Sequence, residues 1–235
     1  MIRGIQDRRL VLHVKDAALA VDHAGVKETI EVDLDLHGGE MVMIHLQHPR
    51  QGSVLADACA GLIRPQWGTV QFLGKTWSAL PPDTENALRG RIGRVFTKGN
   101  WISHLTLLEN ILLPQLHHTR RSTEELCEEA GQLAEGFGLP GVPAGFPGMF
   151  QQTDLRIAAC VRAFLGRLSL ILLEDPTAEG HPEMVPHLVN AIRHARGSGT
   201  AVIWMITQEK IWRDQSIPRT GRYRLAGGKL MEVSR

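Results

Sequence analysis

Residues 168–182, LSLILLEDPTAEGHP, constrain this chain more than any other stretch. The six residues 168–173 run almost without polar interruption, the pattern of a short strand buried on both faces in a parallel sheet. Glu174 and Asp175 end it. Acids at that position stand where the carboxyl end of a central strand meets the crevice in which open α/β sheets bind ligands. Pro176 and Thr177 then turn the chain, and Pro182 is expected to open the next helix at a position where a missing N–H does no harm.

A parallel strand needs neighbours and crossover helices, and both are legible on either side of this stretch. Upstream, residues 10–14 read as a strand, and Ile30, Val32, Leu34 and Leu36 alternate with Glu31, Asp33 and Asp35 as a half-buried antiparallel strand. Residues 40–46 read as a second buried strand, and residues 53–62 carry apolar side chains at helical spacing. Residues 68–73 and 92–96 return to the sheet around a helix opened by Pro81-Pro82-Asp83. From Thr97 the pattern turns helical, with helices expected at 106–116, 122–137 and 154–165 around the Gly- and Pro-rich loop 138–148. Ser122 and Glu125 have capping-box spacing. Residues 182–196 read as a helix stopped by Gly197, residues 200–206 as another buried strand, and residues 223–233 as a hairpin turning at Gly227-Gly228.

At 235 residues with 43% hydrophobic content, one α/β domain with a real core is expected, and no staples are needed. The net charge of +1 offers no field for nucleic acid, and short basic clusters such as Arg89, Arg91, Arg94 and Arg120-Arg121 read as solvated faces. Cys59, Cys127 and Cys160 are odd in number and without C-x-x-C spacing, which supports neither disulfides nor zinc and fits a reducing compartment. His45/His48 and His117-His118 lack a third ligand at a recognisable spacing and read as solvated or core histidines. No run approaches the ~18 apolar residues of a membrane-spanning helix, so membrane contact is expected only through a partner.

Several of these segments, in order, resemble the ATP-binding cassette (ABC) ATPases, especially bacterial branches associated with lipid and lipoprotein export. GLIRPQWGTVQFLGK at 61–75 resembles the segment after the family's Walker A helix, and IGRVF at 92–96 the strand before its Q-loop. HLTLLENILLP at 104–114 is similar to the start of its helical lobe, ACVRAFL at 159–165 to its Ala-Arg-Ala-Leu helix, and LILLEDPTAE to Walker B and the D-loop. The resemblance implies a P-loop NTPase-like α/β core with a mixed sheet, an N-terminal antiparallel β part and an inserted helical subdomain at 97–165, the core taking 1–96 and 166–235.

The chemistry-bearing positions depart from the pattern. A P-loop binds phosphate because glycines let main-chain N–H groups wrap it while Lys and Ser/Thr supply charge and metal contact. Here the aligned residues are Leu46, Gln47, His48, Pro49, Arg50, Gln51, Gly52 and Ser53, with side chains at all three glycine positions and Gly52 where Lys belongs. Thr97 stands for the Q-loop Gln, and Phe150, Gln151, Gln152, Thr153 and Asp154 stand for the Leu-Ser-Gly-Gly-Gln signature. Glu174 and Asp175 reverse the Walker B order, which leaves the base one methylene short; Gln208 replaces the switch His, and His23 the adenine-stacking aromatic.

The resulting expectation is a catalytically degenerate cassette subunit without a cofactor, possessing vestigial nucleotide-site and signature positions. It would dock on an integral-membrane permease at the inner face of the cytoplasmic membrane through Asn100, Trp101, Ile102 and Leu105, with Leu108 in the core, and pair with itself or another cassette. No nucleic acid is expected. Two alternatives are a divergent ATPase that binds Mg-ATP with Arg50, Ser53, Glu174 and Asp175, and a soluble scaffold or regulator on the same fold.

Overall fold

The computed structural model describes residues 9–177 and 183–233, so the expected helix start at Pro182 lies outside the described residues. Its ten strands form one mixed sheet. They are β1 (Leu10–His23), β2 (Val26–His37), β3 (Met41–His45), β4 (Trp67–Phe72), β5 (Lys75–Thr76), β6 (Ile92–Val95), β7 (Leu170–Glu174), β8 (Ala201–Ile206), β9 (Gly221–Ala226) and β10 (Lys229–Glu232). The spatial order is β5-β4-β1-β2-β10-β9-β3-β8-β7-β6.

The organising run forms β7, buried at every position and flanked by parallel β6 and β8. Continuous apolar sequence in 170–173 and 201–206 is what such two-sided burial requires. β1, β2, β4 and β5 pair antiparallel at the other end of the sheet. There β2 alternates buried and exposed residues, as its apolar/acidic alternation predicts. β1 is much longer than the five residues expected, because Asp16 takes φ 47° in an irregularity that lets the strand continue to His23. The two halves of the sheet are stitched by a single residue pair, Lys229 with Glu31.

Helix α1 (Pro49–Cys59) packs on β1 and β4 of the antiparallel half and on β7 and β8 of the parallel half. It begins four residues earlier than the apolar spacing suggests, with Pro49 in its first turn, where the absent N–H costs nothing. Helices α2 (Pro82–Arg89), α3 (Leu107–His118), α4 (Thr123–Gly136), α5 (Gln152–Phe164), α6 (Met184–Gly197) and α7 (Glu209–Arg213) complete the chain. α3, α4 and α5 pack on one another, and α5 also packs on β6. The complete capping box is Thr106 with Glu109, at the head of α3. Ser122 caps α4 by accepting from the Glu125 N–H, while the Glu125 carboxylate lies near Arg121 at 3.7 Å. α7 has no counterpart in the sequence reading, since five residues carry too little periodicity to announce a helix.

The core has two continuous clusters, one on each face of the parallel strands. Trp204, Leu173, Ile171 and Leu165 belong to the first, and Leu172, Ile203, Leu55 and Trp77 to the second. No helix of the described residues is long and apolar enough to cross a membrane.

Candidate functional site

A cavity of about 510 Å³ opens where α1 and the carboxyl ends of β6 and β7 converge, lined by His23, Arg50, Ser53, Arg94, Thr97 and Glu174 among others. The topology brings together residues 23, 50, 53, 97 and 174, which the sequence reading drew from four separate segments.

The loop entering α1 is closed by its own side chains. Gln51 is fully buried. Its amide oxygen accepts the Gln47 N–H at 3.0 Å, and its amide nitrogen donates to Glu28 Oε1 at 3.1 Å and to Gln47 Oε1 at 3.4 Å. His48 Nε2 meets the same Glu28 oxygen at 2.8 Å, and the Leu46 N–H donates to the Ile206 carbonyl at 2.9 Å. None of residues 46–53 has a positive φ, as expected where Leu46, Pro49 and Gln51 each carry a Cβ. Gly52 has its own packing reason: a Cβ there would meet Leu46 Cδ1 at 2.8 Å. His23 ends β1, exposed, with its ring stacked on His48 at 4.2 Å between centroids.

Glu174 is only 2% exposed and each of its oxygens is engaged. Oε1 accepts from Arg94 Nε at 2.6 Å; Oε2 accepts from Ser53 Oγ at 2.7 Å and Thr97 Oγ1 at 3.1 Å. The Arg94 guanidinium also donates to Asp57 Oδ1 at 2.7 Å and to the Ser53 carbonyl at 3.3 Å, and lies over the Phe96 ring. Arg94 is therefore no solvated face, since its side chain is 9% exposed. The expectation for Arg89 fails for a similar reason, because its guanidinium binds the Ala60 and Gly61 carbonyls and Glu85. A charge inside β6, next to the fully buried β7, has to be paired, and that is the signal by which Arg94 could have been found.

Asp175 does not share the cavity. It takes φ 45°, its N–H donates to the Met205 carbonyl at 2.8 Å, and its Oδ2 accepts from Thr207 Oγ1 at 2.5 Å. Its other carboxylate oxygen is buried without a partner among the described residues. A non-glycine residue in this left-handed region is uncommon, and Asp is one of the few side chains that tolerate it. Gln208 Nε2 donates to the Thr177 carbonyl at 3.0 Å.

The signature-equivalent residues stand apart from this cavity. Phe150 follows the turn Pro147–Met149, Gln151 precedes α5, and Gln152, Thr153 and Asp154 form its first turn. Further along α5, Arg156 donates to the Thr97 carbonyl at 3.1 Å and Arg162 to the Gly99 carbonyl at 2.7 Å, so α5 holds the loop that carries Thr97. Burial brings the Arg162 guanidinium down to about 10. The same guanidinium covers Trp101, which is half-buried and packed on the core, contrary to the expected exposed anchor. Asn100 takes φ 49°; Ile102 is 36% exposed; Leu105 and Leu108 are half-buried. Asn110 pins this loop, accepting the Ile102 N–H at 2.8 Å and donating to the Ile102, Leu105 and Thr106 carbonyls.

His45 lies 3.0 Å from Glu209 and beside Trp212, and burial lowers its pKa. No cluster of three or more His, Cys, Asp or Glu able to hold a metal occurs among the described residues.

The mixed ten-stranded sheet with its inserted helices matches the fold of ABC ATPase cassette structures. The dimeric structure of MJ0796, a bacterial ABC transporter cassette, superposes with a TM-score of 0.78 at 19% identity, covering 95% of this chain and 99% of that one. In sequence the chain's homologues are ATP-binding subunits of ABC transporters. The octopine permease ATP-binding protein P of Rhizobium meliloti is 27% identical over 215 residues, 84% of this chain and 82% of that protein. The lipoprotein-releasing system ATP-binding protein LolD of Pseudomonas syringae pv. tomato is 28% identical over 205 residues, 86% of this chain and 88% of that protein. No family profile matches the chain.

Proposed function

We propose that this chain is a non-hydrolysing ABC subunit that docks on a membrane permease at the cytoplasmic face and pairs with a second cassette. The observation that carries the reading is the buried Gln51 side chain, which binds the Gln47 N–H that a phosphate cradle would offer and is held in turn by Glu28. Displacing it forfeits three hydrogen bonds worth about 1 kcal/mol each, more than a hundredfold in a binding constant. Beyond the loop the aligned residues are turned to other partners: Glu174 accepts from Arg94, Ser53 and Thr97, Asp175 lies outside the cavity and accepts from Thr207, and Gln208 donates to the Thr177 carbonyl. Mg-ATP as the family would hold it does not fit these residues.

Pairing and docking are supported by the dimeric cassette among the structural neighbours and by the permease-associated names of the relatives. The LolD match supports the lipid and lipoprotein export branch. Isothermal titration of the full chain with Mg-ATP is expected to give no saturable heat; micromolar binding would overturn the reading. For docking, the tagged chain should co-purify a multi-span membrane protein from detergent-solubilised membranes, and Ile102→Glu should abolish this while leaving the thermal unfolding midpoint unchanged. Trp101→Ala is the poorer test, because Trp101 is packed on the core and would lower stability as well.

A further inference from the structure

A second cavity, of about 720 Å³, opens at the amino ends of β6 and β7 and shares no residue with the crevice at their carboxyl ends. Its apolar lining is Leu133, Phe137, Phe164, Leu168 and Ile171, with the Phe137 and Phe164 rings edge to face at 5.6 Å between centroids. α6 leaves room beside them with Ala191, Ala195 and Ser198, small residues three and four apart on one helix face. The other polar side chains around the cavity are engaged with nearby backbone. His194 Nδ1 donates to the Asn190 carbonyl at 2.9 Å, Ser198 Oγ to the His194 carbonyl at 3.3 Å, and Thr200 Oγ1 to the Leu168 carbonyl at 3.0 Å.

The charge in this lining is one-sided. Arg91 and Arg167 both line the cavity and are exposed, neither guanidinium has a hydrogen bond or ion pair among the described residues, and no Asp or Glu lines it. The fold keeps the two arginines close, because the Ser169 and Leu170 N–H groups both donate to the Arg91 carbonyl, at 2.8 and 3.3 Å. Both also line a neighbouring cavity that carries Glu125, Glu128 and Glu129. Two of those acids are committed to Arg121: Glu129 pairs with it and accepts the Gly166 N–H at 2.9 Å, and Glu125 lies 3.7 Å from it. Glu128 alone cannot neutralise two guanidiniums.

We infer that this second cavity binds an amphiphilic carboxylate, its apolar chain lying against Phe137, Phe164 and Ile171 and its anionic end taken by Arg91 and Arg167. The volume falls in the range of pockets that enclose small ligands. A guanidinium pairs with a carboxylate through two parallel N–H donors, and two arginines without partners are the complement such a group needs. Phe137 and Ile171 are 2% and 1% exposed, so the apolar part is reached by a slender chain and not by the flat face of a second protein. The inference does not rest on the nucleotide reading above, and Mg-ATP binding would leave it standing.

Decanoate, kept below its micelle concentration, is the probe, and isothermal titration of the full chain is the readout. One site per chain is expected, with acetate and decyltrimethylammonium at least about tenfold weaker, since one lacks the chain and the other carries the opposite charge. Arg91→Gln with Arg167→Gln should weaken decanoate at least about tenfold and leave the thermal midpoint of the free chain unchanged, because neither guanidinium makes a bond that folding relies on. Ala191→Phe, which fills the cavity and keeps both arginines, should weaken it as well; Ala195→Leu serves if that variant does not fold. Absence of saturable decanoate binding overturns the inference, as does decyltrimethylammonium binding equally tightly or an affinity that survives loss of both arginines. Self-association of the chain that the double arginine variant abolishes, with no decanoate bound, would assign the cavity to a protein and overturn it equally.

Discussion

Arg94 carries much of the site's consequence, because its removal leaves the buried Glu174 carboxylate without its cationic partner. Breaking one side of a buried pair typically costs about 3–5 kcal/mol, whereas replacing both partners by apolar groups is often neutral. Arg94→Met is therefore expected to lower the urea midpoint strongly, and Arg94→Met with Glu174→Leu to recover most of the loss. The thiols give a second check. Burial pushes Cys59 and Cys160 up to about 12, while Cys127 is only half-buried. One thiol per native chain should react with a disulfide reagent at pH 8, and all three only after unfolding. At this scale the sequence was legible for identities and not for partners. The missing glycines, the reversed acids and Gln208 could be read directly. Glu28, Asp57 and the burial of Arg94 could not, since each contact joins residues 20 or more positions apart. A motif alignment names positions, and says nothing of which distant side chains the fold brings against them.

Among the elements, those with strong local chemistry were the best foretold. Apolar runs gave β7 and β8, alternation gave β2, and Gly227-Gly228 gave the β9–β10 turn. The start of α1 was misplaced because the residues aligned with a loop motif were read as loop, although Pro49 favours a first helical turn. The Thr106–Glu109 box is the cap to test. Thr106→Ala removes the acceptor for the Glu109 N–H and should cost about 1 kcal/mol in chemical denaturation. Gly93 is a stricter case, since a Cβ there would lie 1.8 Å from the Ala163 carbonyl oxygen at the contact of β6 with α5. Backbone cannot yield as a side chain end can. Gly93→Ala is expected to cost more than about 4 kcal/mol and to yield little soluble protein.

For the molecule as a whole, acid should be destabilising before the carboxylates titrate. Burial holds the His45 and His118 imidazoles below their ordinary value of 6.5. The unfolded chain then binds more protons than the native one just below that pH, so the stability is complete above about 6.5 and falls as the pH drops through the native values. A series of urea midpoints from about pH 7.5 to pH 5.5 should decline, and His45→Gln with His118→Gln should flatten the slope.

The single rung joining Lys229 to Glu31 means that the two leaves of the sheet scarcely hold each other through the backbone. α1 spans both, and it also presents Arg50 and Ser53 to the crevice. The two leaves are therefore joined chiefly by this helix and by the shared core of side chains packed around it. Gln51 and Arg94 fasten its first turn from two sides, the first to Gln47 and Glu28, the second to the Ser53 carbonyl, Asp57 and Glu174, so the helix that spans both leaves is anchored at the end that faces the crevice.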